Sequence, residues 1–152
     1  MPRPNLGFSQ RDPHTFGASV HDGTTPVRRG GEKDMGTGAQ TIDSEDLLLY
    51  DVIKWSPSAG SALDLTLPDA GDVINDHNLA TGDTFVVKVI NIDGTNAGDL
   101  GPGTGWTEYD ADNAWATAAD GAILAKSITY IHCFVASATA ITAWVESNVT
   151  ST

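Results

Sequence analysis

The arrangement of apolar residues from Ile42 onward restricts the possible folds more than any other feature of this chain. Short apolar runs alternate with turn signals such as Ser56-Pro57, Asp93-Gly94 and Asp120-Gly121. This spacing is typical of an all-β sandwich or barrel. The strongest predicted strand covers residues 84–92 and has apolar side chains on both faces. Such a strand lies in the middle of a sheet or is covered by another subunit.

One short helix interrupts the predicted strands after Pro68, with Asp69 and Asp72 near the positive end of its dipole. Two long strands, within residues 122–136 and 139–147, close the chain and are predicted to pair as an antiparallel hairpin. We therefore expect an all-β fold, a small antiparallel β-sandwich of jelly-roll-like form with one short helix.

The first 40 residues differ from the rest in charge and in pattern. They carry five basic and four acidic residues, whereas the remaining 112 residues carry three basic and 16 acidic residues. They also hold 7 of the 16 glycines and 4 of the 7 prolines, and their apolar residues are too isolated to form a core. The sequence predicts an extended, low-structure N-terminal arm over residues 1–40 and a β-sandwich domain over residues 41–152.

The arm contains two kinds of residue suited to contact with a partner. Phe8 and Phe16 are large apolar side chains that a solvated linker does not need. Arg28 and Arg29 are adjacent guanidinium groups that suit carboxylates on a partner protein.

Net charge and the absence of motifs argue against several classes of function. A formal charge of -12 repels phosphate backbones and anionic membranes, so neither nucleic acid nor membrane is an expected partner. The apolar runs are far shorter than a membrane span. His132 and Cys133 are neighbours in a predicted strand, where their side chains point to opposite faces and cannot form a catalytic pair. We expect no catalytic residues and no cofactor.

Three loops carry residues that also occur in ligand sites. The acidic segments 93–99 and 108–113 have calcium-type ligands without the spacing of an EF-hand, and turns select the same residue types, so we expect no metal. The glycine-rich segment 101–105 lacks the Lys-Ser/Thr of a phosphate-binding loop. It is predicted to be a turn that lets the backbone pass closely beneath Trp106.

Four tryptophans are many for a domain of this size, and three hypotheses for them stay open. Aromatic faces stack on sugar rings, and large aromatic side chains also pack in hydrophobic cores and fill subunit interfaces. We therefore regard Trp106 and Trp115 as candidates for a glycan-binding platform or for a subunit interface.

Roughly half of the chain carries a further pattern, made of short segments within residues 67–147. Its segments are Leu67-Pro68-Asp69-Ala70, Gly82-Asp83-Thr84-Phe85, Val89-Ile90-Asn91, Gly103-Thr104-Gly105-Trp106 and Ser137-Ala138-Thr139-Ala140-Ile141-Thr142-Ala143. With these segments the chain resembles capsid decoration (cement) proteins and head-fibre modules of tailed phages. The resemblance implies a compact β-sandwich that forms homotrimers on the outside of an icosahedral shell and grips the coat protein with a terminal arm.

The expected function is therefore that of a structural virion protein, made in the host cytoplasm, that binds the capsid exterior and stabilises it. Its expected partners are the major capsid protein and further copies of itself. The expected contacts with the coat protein are Phe8, Phe16, Arg28 and Arg29. The alternative is a carbohydrate-binding fibre or adhesion module of a phage particle, with a glycan as its ligand.

Overall fold

The computed structural model describes residues 30–57, 64–109 and 122–149. Within these ranges the chain forms ten strands and one helix. They are β1 (Glu32–Thr37), β2 (Gln40–Thr41), β3 (Val52–Ser56), β4 (Asp64–Thr66), α1 (Ala70–Asp76), β5 (Thr84–Asn91), β6 (Gly98–Gly101), β7 (Trp106–Glu108), β8 (Ala122–Ile123), β9 (Ser127–Ser137) and β10 (Ala140–Val149). The expectation of a β-rich chain with a short helix after Pro68 is confirmed.

The strands form a six-stranded sheet in the order β1-β3-β5-β9-β10-β7 and a four-stranded sheet in the order β2-β4-β6-β8. Strand β5 lies between β3 and β9, so its predicted central position is confirmed. Strands β9 and β10 pair antiparallel along their whole length, as the sequence predicts for the closing hairpin.

The prediction that the strands are all antiparallel is wrong, because both sheets are mixed. The pairs β1·β3, β3·β5 and β7·β10 are parallel in the larger sheet. The pairs β2·β4 and β4·β6 are parallel in the smaller one. Along the chain, β1, β3 and β5 of the larger sheet alternate with β2, β4 and β6 of the smaller sheet. Each time the chain returns to a sheet, the new strand therefore runs parallel to the preceding strand of that same sheet.

The predicted arm also extends too far towards the body. Residues 32–37 form β1 and pair with β3, and β2 begins at Gln40 and pairs with β4. The ammonium group of Lys54 in β3 lies 3.0 Å from Glu32 Oε1 and 2.9 Å from Asp34 Oδ2. These contacts join residues about 20 positions apart, which is why a local pattern does not predict them. Residues 1–29, with Phe8, Phe16, Arg28 and Arg29, lie outside the described residues.

Helix α1 begins where the sequence predicts, because Asp69 caps it. The Asp69 carboxylate accepts a hydrogen bond of 2.8 Å from the backbone N–H of Gly71. The buried face of the helix consists of Ala70, Val73 and Ile74. These residues join one apolar core to which both sheets contribute, including Trp55, Leu65, Leu100, Ile123 and Ile131.

Candidate functional site

The most unusual surface among the described residues is one face of the larger sheet. Side chains alternate between the two faces of a strand. In β5, β9 and β10 one set of alternate residues is buried: Val87, Val89, Ile131, Cys133, Val135, Ile141, Ala143 and Val145. The other set points away from the core.

The strand registers arrange these outward residues in rows across β5, β9 and β10. Three adjacent rows are Lys88-Tyr130-Glu146, Val86-His132-Trp144 and Thr84-Phe134-Thr142. We call these nine residues, together with Tyr109 beside Trp144, the outer face.

The outer face exposes large apolar side chains. The exposed fractions are 42% for Val86, 45% for Phe134, 50% for Trp144 and 70% for Tyr109. Single exposed apolar residues are ordinary, but a contiguous group of them is typical of a binding surface. This group lines an open cavity of about 460 Å³ that also reaches Thr84, His132 and Thr142.

Tyr109 and Trp144 form a stacked aromatic pair at one side of this cavity. Their ring centroids are 5.9 Å apart and the ring planes differ by 21°. The backbone N–H of Tyr109 donates a hydrogen bond of 2.9 Å to the carbonyl oxygen of Ala143, so Tyr109 continues the edge of the sheet beyond β7. The hydroxyl groups of Thr107 and Thr142 lie 3.1 Å apart next to this pair.

The charged groups of the outer face are few and lie close to its aromatic rings. His132 Nε2 lies 3.3 Å from Glu146 Oε2. The ammonium group of Lys88 lies 5.9 Å from the centroid of the Tyr130 ring, and the rings of Tyr130 and His132 have centroids 6.4 Å apart. The face is thus balanced in charge, although the whole chain is strongly acidic.

Trp106 does not belong to this surface, because it packs in the core, which is one of the three places considered for the tryptophans. It is only 7% exposed, and its indole Nε1 donates a hydrogen bond of 2.6 Å to the carbonyl oxygen of Pro68. The other candidate, Trp115, lies outside the described residues. The exposed pair, Tyr109 and Trp144, was the better candidate. The sequence signal was the alternation along β10. Trp144 is two positions away from the polar residues Thr142 and Glu146, so all three side chains lie on the same face of the strand.

His132 and Cys133 lie on opposite faces of β9, as predicted. Cys133 is 4% exposed, and its burial raises the pKa of the thiol. A thiol that stays protonated and out of contact with solvent is a poor nucleophile. The other histidine among the described residues, His77, is buried, and its Nε2 lies 2.7 Å from the carbonyl oxygen of Ser44, so it connects the end of α1 to a loop.

The acidic loop after β5 is held together by its own aspartate. Asp93 Oδ1 accepts hydrogen bonds of 2.8 Å and 2.9 Å from the backbone N–H groups of Thr95 and Asn96. These bonds lower the pKa of the Asp93 carboxyl to about 2. Within residues 30–57, 64–109 and 122–149, no group of three or more His, Cys, Asp or Glu side chains is placed to bind a metal ion. Most of the second acidic segment, residues 110–113, lies outside the described ranges.

The glycine-rich segment brings two stretches of backbone together, as predicted. A Cβ atom on Gly103 would lie 2.3 Å from the carbonyl oxygen of Pro68 and 2.4 Å from that of Leu67. One on Gly105, which has φ +82°, would lie 2.5 Å from the carbonyl oxygen of Thr139. Both glycines are therefore required by close backbone contacts near Trp106.

The described part of the chain contains no helix long and apolar enough to span a membrane. Comparison of the chain with protein-family models, with curated proteins and with solved structures finds no match.

Proposed function

We propose that this protein is a structural component of a tailed-phage particle that binds the outer surface of the capsid and stabilises it. The observation that carries the proposal is the outer face, where Val86, Phe134, Trp144 and Tyr109 remain uncovered in the single chain. A contiguous exposed apolar group of this kind fits contact with another protein subunit. In this proposal the two mixed sheets form a sandwich body around the common core.

The roles of the reactive side chains also support a structural protein. Cys133 is buried, and His77 binds the carbonyl oxygen of Ser44. Asp93 organises its own loop, and His132 pairs with Glu146 on an exposed strand. Each of these groups has a contact that stabilises the fold or a surface of it.

Attachment to the capsid is assigned to the N-terminal segment. Phe8 and Phe16 are proposed to insert between coat subunits, and Arg28 and Arg29 to bind coat carboxylates. A ligand that binds only the assembled shell stabilises it by RT ln(1 + [L]/Kd) for each site. The acidic body then faces solvent and keeps neighbouring particles apart.

Co-sedimentation with expanded capsid shells of the phage that carries this chain tests the proposal. The full chain should sediment with the shells and raise their melting temperature. A variant with Phe8→Ala, Phe16→Ala, Arg28→Ala and Arg29→Ala should lose most of this binding, whereas Glu45→Lys on the body should bind normally. No binding of the full chain to shells would contradict the function, and full binding of the fourfold variant would contradict the role of the arm.

Among the described residues, Tyr109 and Trp144 are the aromatic pair that suits the carbohydrate-binding alternative, because Trp106 is buried. A glycan array with the unmodified protein and with Trp144→Ala tests it. Binding of a defined glycan that the substitution abolishes would favour the alternative over the capsid function.

A further inference from the structure

We propose that the outer face binds a second copy of this chain, through a two-fold axis that lies in the interface and runs along β9. This inference rests on the proposed function, because it names the chain itself as the partner of the outer face. Two observations carry it: the placement of opposite charges on either side of β9, and the exposed apolar groups in the neighbouring rows.

The charge placement follows from the strand order. Lys88 in β5 and Glu146 in β10 both lie in register with Tyr130 in β9, on either side of it. Neighbouring strands are about 4.8 Å apart, so the two charged residues flank β9 at equal spacing. Rotation by 180° about an axis in the interface, parallel to β9, places β5 of one copy over β10 of the other. Lys88 of each copy then faces Glu146 of the other, and the interface gains two ion pairs.

The remaining rows match under the same rotation. Val86 faces Trp144 of the other copy, and the two Phe134 side chains meet near the axis. The hydroxyls of Thr84 and Thr142 face each other at the end of the interface. Two sheets pack face to face at about 10 Å with their strands roughly aligned, which accommodates side chains of this size. An interface of this kind uses the same residues on both copies and closes at two.

The existing partners of the charged groups leave them able to form these pairs. Among the described residues Lys88 has no carboxylate partner, and its ammonium group lies near the Tyr130 ring. Glu146 uses Oε2 towards His132, which leaves Oε1 available. Because each copy carries a net charge of -12, the copies repel one another at long range. Local attraction and apolar burial at the outer face are what overcome this repulsion.

A dimer differs from the homotrimer that the resemblance implies. The three rows are symmetric about β9, which suits one two-fold contact. A three-fold assembly joins two different surfaces of each copy, and it would make no use of the equal spacing of Lys88 and Glu146.

Size-exclusion chromatography with light scattering, at micromolar protein and near-physiological salt, tests the pairing. The unmodified chain should have twice the 15.9 kDa mass of one copy. Lys88→Glu alone and Glu146→Lys alone should each halve that mass, since like charges then meet twice. An equimolar mixture of these two variants should recover the dimer mass, because every contact again joins an acidic and a basic side chain.

Controls separate loss of pairing from loss of folding. Glu45→Lys makes the same charge change as Glu146→Lys at an exposed site away from the outer face, and it should remain dimeric. Circular dichroism should show that both single variants are folded. Recovery of the dimer mass in the mixture would be independent evidence that both are folded.

A monomeric or trimeric mass for the unmodified chain would overturn the two-fold pairing, and so would failure of the mixture to recover the dimer. Co-sedimentation with capsid shells is scored separately. Monomeric variants that still bind shells would support the capsid function whatever the outcome for the pairing.

Discussion

The indole Nε1 of Trp106 donates a hydrogen bond of 2.6 Å to the carbonyl oxygen of Pro68, 38 residues earlier in the chain. Pro68 directly precedes the cap of α1, and Trp106 begins β7 at the edge of the larger sheet. The bond therefore joins the start of the helix to the sheet edge. It explains why this tryptophan is buried and why a glycine-rich segment must come immediately before it.

Trp106→Phe should destabilise the fold, because phenylalanine keeps most of the apolar packing but leaves the buried Pro68 carbonyl without its donor. Loss of such a partner costs about 1–3 kcal/mol. Chemical denaturation measures the change in the free energy of unfolding. Tyr109→Phe, at a side chain that is 70% exposed, is the control and should change it by less than about 0.5 kcal/mol. Equal effects of the two substitutions would contradict the role of the Trp106 hydrogen bond.

Gly103→Ala should lower the free energy of unfolding by more than the addition of one methyl group usually does. The added methyl group meets two backbone carbonyl oxygens at 2.3 Å and 2.4 Å, and backbone cannot move aside as a side chain can. We expect a loss of about 1–3 kcal/mol or more in the free energy of unfolding. Gly94→Ala is the matched control, because its methyl group meets only Lys126 Cε at 3.5 Å, an ordinary contact. A Gly103→Ala protein as stable as the Gly94→Ala protein would show that Gly103 is not in close contact with the backbone of residues 67–68.

Asp93→Asn should lower the melting temperature at neutral pH, and the difference from the unmodified chain should shrink in acid. Hydrogen bonds from Thr95 and Asn96 lower the pKa of Asp93 from 3.8 to about 2 in the folded chain. A carboxyl whose pKa is lowered by folding stabilises the fold above its unfolded pKa, and this stabilisation is lost as pH falls through the folded pKa. Melting curves from pH 7 to pH 2 measure the effect. A difference that stays constant between pH 4 and pH 2 would contradict it.

Cys133 should be unreactive in the folded chain. Its side chain is buried and burial raises the pKa of its thiol, so the thiolate that reacts with disulfide reagents is scarce and shielded. We expect Ellman's reagent to react on the order of 100-fold or more slowly in buffer than in concentrated guanidinium, since reaction requires opening of the sheet. Rapid stoichiometric labelling of the native protein would show that β9 is less protected than its contacts indicate.

The sequence by itself determined the features that depend on neighbouring residues. The near-continuous apolar run of residues 84–92 specified a strand with two apolar faces, and the two long strand patterns at the end of the chain specified the hairpin of β9 and β10. Pro68 and Asp69 marked the start of α1. The opposite orientation of His132 and Cys133 followed from strand geometry alone.

Only the tertiary structure decided which distant segments meet. It joined β1 to β3, where Lys54 contacts Glu32 and Asp34, and this pairing shortened the predicted arm. It also placed successive strands in alternate sheets, which made the first half of each sheet parallel. It also buried Trp106 against Pro68 and left Trp144 exposed beside Tyr109. Local patterns specify where a side chain points, but strand pairing and burial depend on contacts between residues 20 to 40 positions apart. Those contacts are chosen by the packing of the whole core.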